Sequence, residues 1–464
     1  MNDKKGRSDF LKAMALAEIA LATGTTNQSN PVITAICTDT RKLQPGCLFV
    51  ALKGDNFDGH AFTRGALEQG AAAVLCERAT GCGEQEILVP DTHAALLSLA
   101  AYYRRQFKLL MIGITGSVGK TTTKEMTAAV LSTKYKTLKN SGNLNNEIGL
   151  PMTIFDLDDS FEAAVLEMGM SGLGEVSRLS RVCAPDMSII TNIGVSHIEK
   201  LGTKENILQA KLEIIDGMEA GAPLLLNGDD AFLRRADTAG HPVTYFGIEN
   251  EHSQFRGALA PKSGSAASFT VEHDGHLQRI VLPAVGKHNV YNALAAYSAG
   301  ILNGVAPEHA AAALAEYTPA GMRQRIRHID GMAFIEDCYN ASPDSLKAAL
   351  GVLAEMQAQR RIAVLGDMLE LGSYARQAHE EAGVFAASKG INVLLTYGEH
   401  SRHTARKAKE CGIGTVLSYD SKSELAGALC TILSPGDAVL FKASRGMGLE
   451  DVIDIVYREL KANG

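Results

Sequence analysis

Short, unbroken apolar runs punctuate the chain, and their spacing predicts the elements. "LLMIGIT" (109–115), "AAVLEM" (163–168) and "MSIITNIG" (187–194) are too short for helices and lack alternation, the pattern of strands buried on both faces of a parallel sheet. "SFTVEHDGHLQRIVLP" alternates apolar and polar positions on either side of Asp274-Gly275, which predicts a β-hairpin. "GKHNVYNALAAYSAG" then returns to helix. Downstream, "MAFIEDCYNASPDSLKAAL", "RIAVLGDMLELG" and "AVLFKASRGMGLEDVIDIV" read as strand–loop–helix units. Upstream, "CLFVAL" and "AAAVLC" lie among turns at Lys53-Gly54-Asp55 and Asp58-Gly59.

Alternation of this kind predicts an α/β protein of three domains. Residues 1–108 form a small α/β N-terminal domain. Residues 109–319 form a central phosphate-loop (P-loop) domain with a mostly parallel sheet. Residues 320–464 form a C-terminal, doubly wound, Rossmann-like domain. Pro319 and Gly321 in "TPAGMRQR" suit a hinge. The length of 464 residues fits three domains, and 46% hydrophobic with 21% charged residues suffices for ordinary cores. A net charge of −7 without a basic block argues against a nucleic-acid partner. The eight cysteines include no C-x-x-C pair, as for reduced thiols in a cytosol. "MNDKKGRSDFLKAMALAEIALATG" mimics a signal peptide, but Lys12 and Glu18 interrupt it, and it reads as an amphipathic helix. No run reaches the ~18 apolar residues of a membrane span. A cytoplasmic monomer is expected.

"GITGSVGKTTTKEM" (113–126) carries the clearest chemistry. Gly116 and Gly119 let the backbone approach phosphates, and the loop Gly116, Ser117, Val118, Gly119, Lys120, Thr121 and Thr122 presents N–H groups at a helix N-terminus. Lys120 reaches toward the β- and γ-phosphates of a nucleotide such as ATP, and the Thr121 hydroxyl suits Mg²⁺. Ile114 stands where a strict Walker A has glycine. Glu167 and His197 follow strands, where ligands of open α/β sheets gather, and a carboxylate at 167 is a hard oxygen donor for Mg²⁺. By periodicity alone Lys211 is an exposed helix lysine. "NSGNLNNEIGLP" (140–151) is either turn chemistry or a polar site lining, with Asn143, Asn145 and Asn146 beside Asn140. Asn289 and Asn292, at i and i+3, share a helical face that could meet a base or ribose. Cys338 has no adjacent base and reads as a small buried residue.

Together and in this order, these motifs resemble the Mur ligases of peptidoglycan synthesis over almost the whole chain. "TDTRKLQPGCLFVALKGDNFDGHAF" is similar to the family's uridine-nucleotide segment, with Thr40 for the usual serine; "TGSVGKTTT" matches its phosphate loop, Ile114 included. "GNLNNEIGLP", "EMGM", "NIGVSHIEKLG" and "AKLEI" follow, and "KASRGM" has Ala443 where glycine is common. A D-N-P-R signature, expected of the branch that adds diaminopimelate, is absent, which favours the branch that adds D-alanyl-D-alanine to a UDP-N-acetylmuramoyl-tripeptide. The resemblance implies an ATP-dependent ligase working through an acyl phosphate. It implies uridine-nucleotide contacts by Thr38, Asp39, Arg41 and Lys53, and nucleotide contacts by Asn289, Asn292, Arg323, Asp337 and Asn340. It further implies two Mg²⁺ ions, one on Thr121 and Glu167, the other on His197 and a carbamylated Lys211. A folate-type sibling ligase fits the first block poorly, and a bare nucleotide switch leaves the asparagine-rich loop without a purpose.

Overall fold

The structure is a computed structural model that describes residues 11–29, 31–260, 267–319 and 321–463. Among the described residues, three main sheets follow one another along the chain. The first has four parallel strands in sequence order, Ala35–Cys37, Cys47–Val50, Ala73–Cys76 and Glu86–Leu88. The last has six, ordered Arg325–Ile329, Met332–Glu336, Asp437–Lys442, Arg360–Gly366, Val393–Tyr397 and Thr415–Tyr419; only the first of these runs antiparallel to its neighbour.

The central sheet has nine strands, with Leu110–Thr115 between Met187–Ile190 and Ala163–Glu167. All three point their carboxyl ends the same way, so the residues after them converge on one edge. The far side ends in the expected hairpin, Ala267–His273 paired antiparallel with His276–Leu282. Asp274 and Gly275 both take left-handed backbone there (φ 46° and 78°), as a tight two-residue turn between right-twisted strands requires. The N-terminal expectation needs correcting. Only Leu16–Ala22 is helix, while Met14–Ala15 pairs as a short strand with Val32–Ile33. Glu18 Oε2 accepts from the Ala15 N–H and starts the helix there. Residues 1–10 of that expected helix lie outside the described residues.

Burial explains why the strands read as unbroken apolar runs. Met111 packs into one core, while Ile112 and Ile114 pack into the core across the sheet. The first core is continuous with that of the N-terminal unit, joining Leu48, Leu75 and Leu99 to Leu166 and Ile190. Tyr103 reinforces the join, its hydroxyl donating to Leu157 O (2.8 Å) and accepting from Lys12 N–H (2.9 Å). The C-terminal sheet has separate cores on its two faces. Ala443 fits there because its methyl lies over Gly366, where an added Cβ would come within 2.7 Å. All eight cysteines are free, and Cys338 is buried.

The phosphate-loop helix Lys120–Leu131 is backed by the helix Lys287–Leu302. A Cβ at Gly300 would come within 2.3 Å of Val130 Cγ1. Valine in a helix has little χ1 freedom to yield. Gly300→Ala is expected to destabilise the protein by about 1–3 kcal/mol in urea denaturation. Adding Val130→Ala should recover part of that loss, giving a non-additive double-mutant cycle.

Candidate functional site

The phosphate loop is shaped by glycines and tied to a neighbouring strand end. Gly116 (φ 142°) lies so close to Thr191 that a Cβ would fall 2.0 Å from its hydroxyl, and Gly119 (φ 85°) lies against Asn292 in the same way. Asn192 fastens the loop. Its Oδ1 accepts from Val118 N–H and its Nδ2 donates to Val118 O, both at 3.0 Å. Gly194 N–H donates to Ser117 Oγ (2.8 Å). Lys120 curls over the loop and donates to Gly116 O (2.7 Å). Burial pushes its pKa down against the pull of Glu167, and the Arg323 charge adds to the depression.

Glu167 ends its strand 2% exposed. Thr121 Oγ1 donates to Oε2 (2.7 Å) and Asn145 Nδ2 to Oε1 (2.8 Å). Asn140 clamps the backbone of Glu167 through both N–H (2.9 Å) and C=O (3.0 Å). Asn146 instead caps the next helix, accepting from Gly149 N–H (2.8 Å). Asn143, Asn145 and Asn146 nevertheless border the same cavity as Thr121 and Thr122.

Lys211 departs from its periodicity reading. In the helix Lys204–Leu212 the buried face is Ile207, Ala210 and Lys211, so the lysine occupies an inward i+4 position. It is fully buried, and its Nζ has no hydrogen-bond partner. Desolvation drives its pKa well below the ordinary value, and the Lys120 charge pushes the same way, opposed by Glu167, Glu175 and Glu213. It lies behind the cavity wall, not in it. His197, which does line the cavity, has left-handed backbone (φ 62°), and its Nδ1 lies 2.7 Å from Glu370 Oε2. Desolvation lowers its pKa, as does the Lys120 charge, against the pull of Glu370.

The opposite wall belongs to the C-terminal unit. The cavity, about 980 Å³, is bordered by Lys120, Glu167 and His197 on one side and by Arg323, Asp337 and Asn340 on the other. Asn289 and Asn292 stand between them, joined by an Nδ2–Oδ1 hydrogen bond of 3.3 Å, and Asn289 also donates to Gln324 Oε1 (3.0 Å). The Arg323 guanidinium stacks over Tyr339, 3.8 Å from the ring centroid. Buried Lys442 donates to Asp337 Oδ2 (2.8 Å) and Asn340 O (3.0 Å), holding that loop. Asn192 and Lys442 have no local signature of these roles, because the partners that define them, Val118 and Asp337, lie 74 and 105 residues away.

Thr38, Asp39, Arg41 and Lys53 lie in the N-terminal unit and do not border this cavity. Arg41 pairs with Asp39 through Nε (2.9 Å) and Nη2 (2.8 Å), and that pairing holds the Asp39 carboxyl down to about 2.

Comparison with known proteins matches this geometry to a family. "Mur ligase family, catalytic domain" matches residues 32–104, "Mur ligase middle domain" residues 114–300, and "Mur ligase, glutamate ligase domain" residues 322–445. The UDP-N-acetylmuramoyl-tripeptide–D-alanyl-D-alanine ligase of Bacillus subtilis is 42% identical over 91% of this chain and 93% of its own length. The chain belongs to the Mur ligase family.

Solved Mur ligases share its whole architecture. MurF from Acinetobacter baumannii superposes with a TM-score of 0.89 at 30% identity, covering 97% of this chain and 99% of its own. MurF from Thermotoga maritima, solved in complex with ADP, gives 0.86 at 29% identity over 93% and 98%. Among the described residues no helix of this Mur ligase is long and apolar enough to cross a membrane. No three His, Cys, Asp or Glu side chains among them cluster as a metal cage. A Mg²⁺ site that borrows ligands from substrate phosphates needs no such cage.

The buried Lys211 generates a pH signature. Its folded pKa lies below the ordinary ~10.4, so between the two values the unfolded chain binds the extra proton and stability rises with pH. In CO₂-free buffer, Lys211→Met is expected to be more stable than wild type near pH 7. That gap should close as the pH approaches about 10, as read by urea denaturation; a pH-independent gap would contradict the burial of an unpaired amine.

Proposed function

We propose that this Mur ligase joins D-alanyl-D-alanine to UDP-N-acetylmuramoyl-tripeptide at the expense of ATP, as a cytoplasmic monomer making peptidoglycan precursor. The observation that carries the reading is the shared cavity. A phosphate loop and a fixed carboxylate form one wall, and an arginine- and aspartate-bearing sheet of a different unit forms the other. A phosphorylated intermediate and an incoming amine can meet there away from bulk water.

Residues Gly116 to Thr122 cradle the ATP phosphates, with Lys120 turning from the loop carbonyls to the γ-phosphate. Asn289, Asn292, Arg323, Asp337 and Asn340 hold the nucleoside. Thr38, Asp39, Arg41 and Lys53 hold the uridine end of the other substrate, and Asn143 and Asn146 flank its peptide. The tripeptide carboxylate oxygen attacks the γ-phosphorus as the β–γ bridging P–O bond breaks, giving an acyl phosphate and ADP. The dipeptide amine then attacks the acyl carbon, phosphate leaves, and the nitrogen loses its proton.

The donor set fits Mg²⁺. Thr121 Oγ1 and Glu167 Oε2, 2.7 Å apart, are hard oxygen donors at the loop mouth. The partnerless Lys211 amine is what carbamylation needs: burial favours its neutral form, whose nitrogen would add to CO₂ and release a proton, and the resulting carbamate would offer an anionic oxygen to a second ion with His197. Bound ions would neutralise charge on the transferring phosphoryl group. Asn145 keeps Glu167 aimed, and Asn140 fixes the strand end that bears it.

Phosphate release from ATP is expected only with both the UDP-muramyl tripeptide, carrying diaminopimelate or lysine, and D-alanyl-D-alanine. ATP hydrolysis indifferent to both would contradict the ligase. Lys120→Ala should abolish product while leaving UDP-substrate affinity nearly unchanged, because the uridine site lies in another unit; equal loss of both in a folded variant would overturn the assignment.

Lys211 offers the sharper test. Lys211→Ala should lose activity by orders of magnitude, since metal stabilisation of phosphoryl charge is worth several kcal/mol, and a short-chain carboxylic acid should restore part of it. Lys211→Arg should stay inactive, because a guanidinium keeps its charge and takes up no CO₂. Near-normal ligation by Lys211→Ala without added acid would exclude the carbamate.

A further inference from the structure

Glu370 has no role in the reading above, yet it makes a direct contact across the two units at the heart of the site. Its carboxylate, on the C-terminal unit, lies 2.7 Å from His197 Nδ1 of the central unit, within reach of a proton on that nitrogen. An exposed ion pair between mobile side chains contributes little, and Glu370 is 62% exposed. The loop that carries it, however, is built to hold it still. Met368 and Leu371 on either side are buried. Met368 N–H donates to His379 Nε2 (3.1 Å), whose own Nδ1–H donates to Ala375 O (2.7 Å), and Leu369 N–H donates to Ser444 Oγ (2.9 Å).

Glu370 itself takes left-handed backbone (φ 62°), as does His197. Such conformations in non-glycine residues are retained where the surroundings over-determine them. The loop also seats directly on the His197 segment. A Cβ at Gly372 would come within 2.9 Å of Glu199 Cγ. Asp344, on the C-terminal unit, approaches Val195 N–H at 3.4 Å.

An imidazole whose Nδ1–H is held by a carboxylate has a fixed tautomer and ring plane, and meets a ligand through Nε2. We propose that Glu370 is a positioning residue that sets the tautomer and aim of His197, so that this side chain is ready only when the C-terminal unit is seated on the central one. The proposal rests on the reading of His197 as part of the phosphoryl-transfer site. Holding the hydrogen bond, not supplying a net charge, is the function assigned to the carboxylate.

Glu370→Gln keeps an acceptor for Nδ1–H and removes the charge, whereas Glu370→Ala removes both. The readout is the ring ¹⁵N spectrum of His197 in the full-length, histidine-labelled protein without metal or substrate, assigned by its loss in His197→Gln. Wild type and Glu370→Gln are expected in the Nδ1–H form, and Glu370→Ala in the Nε2–H form that free neutral imidazole favours. In ligation assays Glu370→Ala should raise the Mg²⁺ concentration for half-maximal rate about tenfold, with KM for the UDP-substrate unchanged and Glu370→Gln close to wild type. An unchanged His197 spectrum in Glu370→Ala, or a Glu370→Gln as impaired as Glu370→Ala, would overturn the proposal. Because the spectrum is taken without substrates, it bears on Glu370 whichever acceptor the enzyme proves to use.

Discussion

A carboxylate sealed at the end of a central strand constrains everything around it. Glu167, at 2% exposure, must be given partners on every side, because an unpaired buried charge is strongly unfavourable. One oxygen is met from the phosphate-loop helix by Thr121 and the other from the asparagine-rich loop by Asn145, while Asn140 holds the backbone. Three segments distant in sequence are thereby fixed to one another within hydrogen-bonding tolerance. The carboxylate also favours the protonated forms of Lys120 and Lys211, opposing the larger desolvation effect that lowers both pKa values.

That offset is incomplete. Lys120 has only loop carbonyls for partners and Lys211 has none. Arg323 adds its charge from the opposite wall. Positive charge from Lys120 and Arg323 thus meets at the phosphate-loop end of the cavity, where it would favour a bound anion. Phosphates and a peptide carboxylate are such anions, and a carbamate on Lys211 would be another from within the protein.

What could be read from sequence follows from how local each signal is. The phosphate loop is contiguous, so its glycines, Lys120 and Thr121 declare themselves, and Glu167 is legible as the polar end of an apolar strand. The hairpin at Asp274-Gly275 is equally local. Lys211 is different: its burial depends on which face of a short helix meets the sheet, and periodicity over nine residues assigned that face wrongly. Only the family resemblance pointed to it. Asn192, Lys442 and Glu370 act through partners 74, 105 and 173 residues away (370 − 197 = 173 for the last), and no window along the chain contains both ends. The N-terminal helix was overextended because Met14 fits a helical face and a short strand equally well.

The distribution of cores shows where this architecture can move. The N-terminal unit and one face of the central sheet share a single continuous apolar core, so separating them would expose buried surface at about 25 cal/mol per Å². The C-terminal sheet fills its own two cores, and from the central unit it borrows only the partly buried Ile198 and Val285. Among the described residues its other links across this boundary include polar ones, at Asn289–Gln324, Val195–Asp344 and His197–Glu370. Polar links exchange for water at little net cost, whereas a shared core does not. Separation at the second boundary, beside Pro319 and Gly321 (φ 64°), would therefore expose less apolar surface than separation at the first. It would part the Arg323-bearing wall from the phosphate loop and leave the N-terminal unit joined to the central sheet by their shared core. Such a division would keep the N-terminal unit and the phosphate loop as one body while access to the cavity depends on the seating of the C-terminal unit.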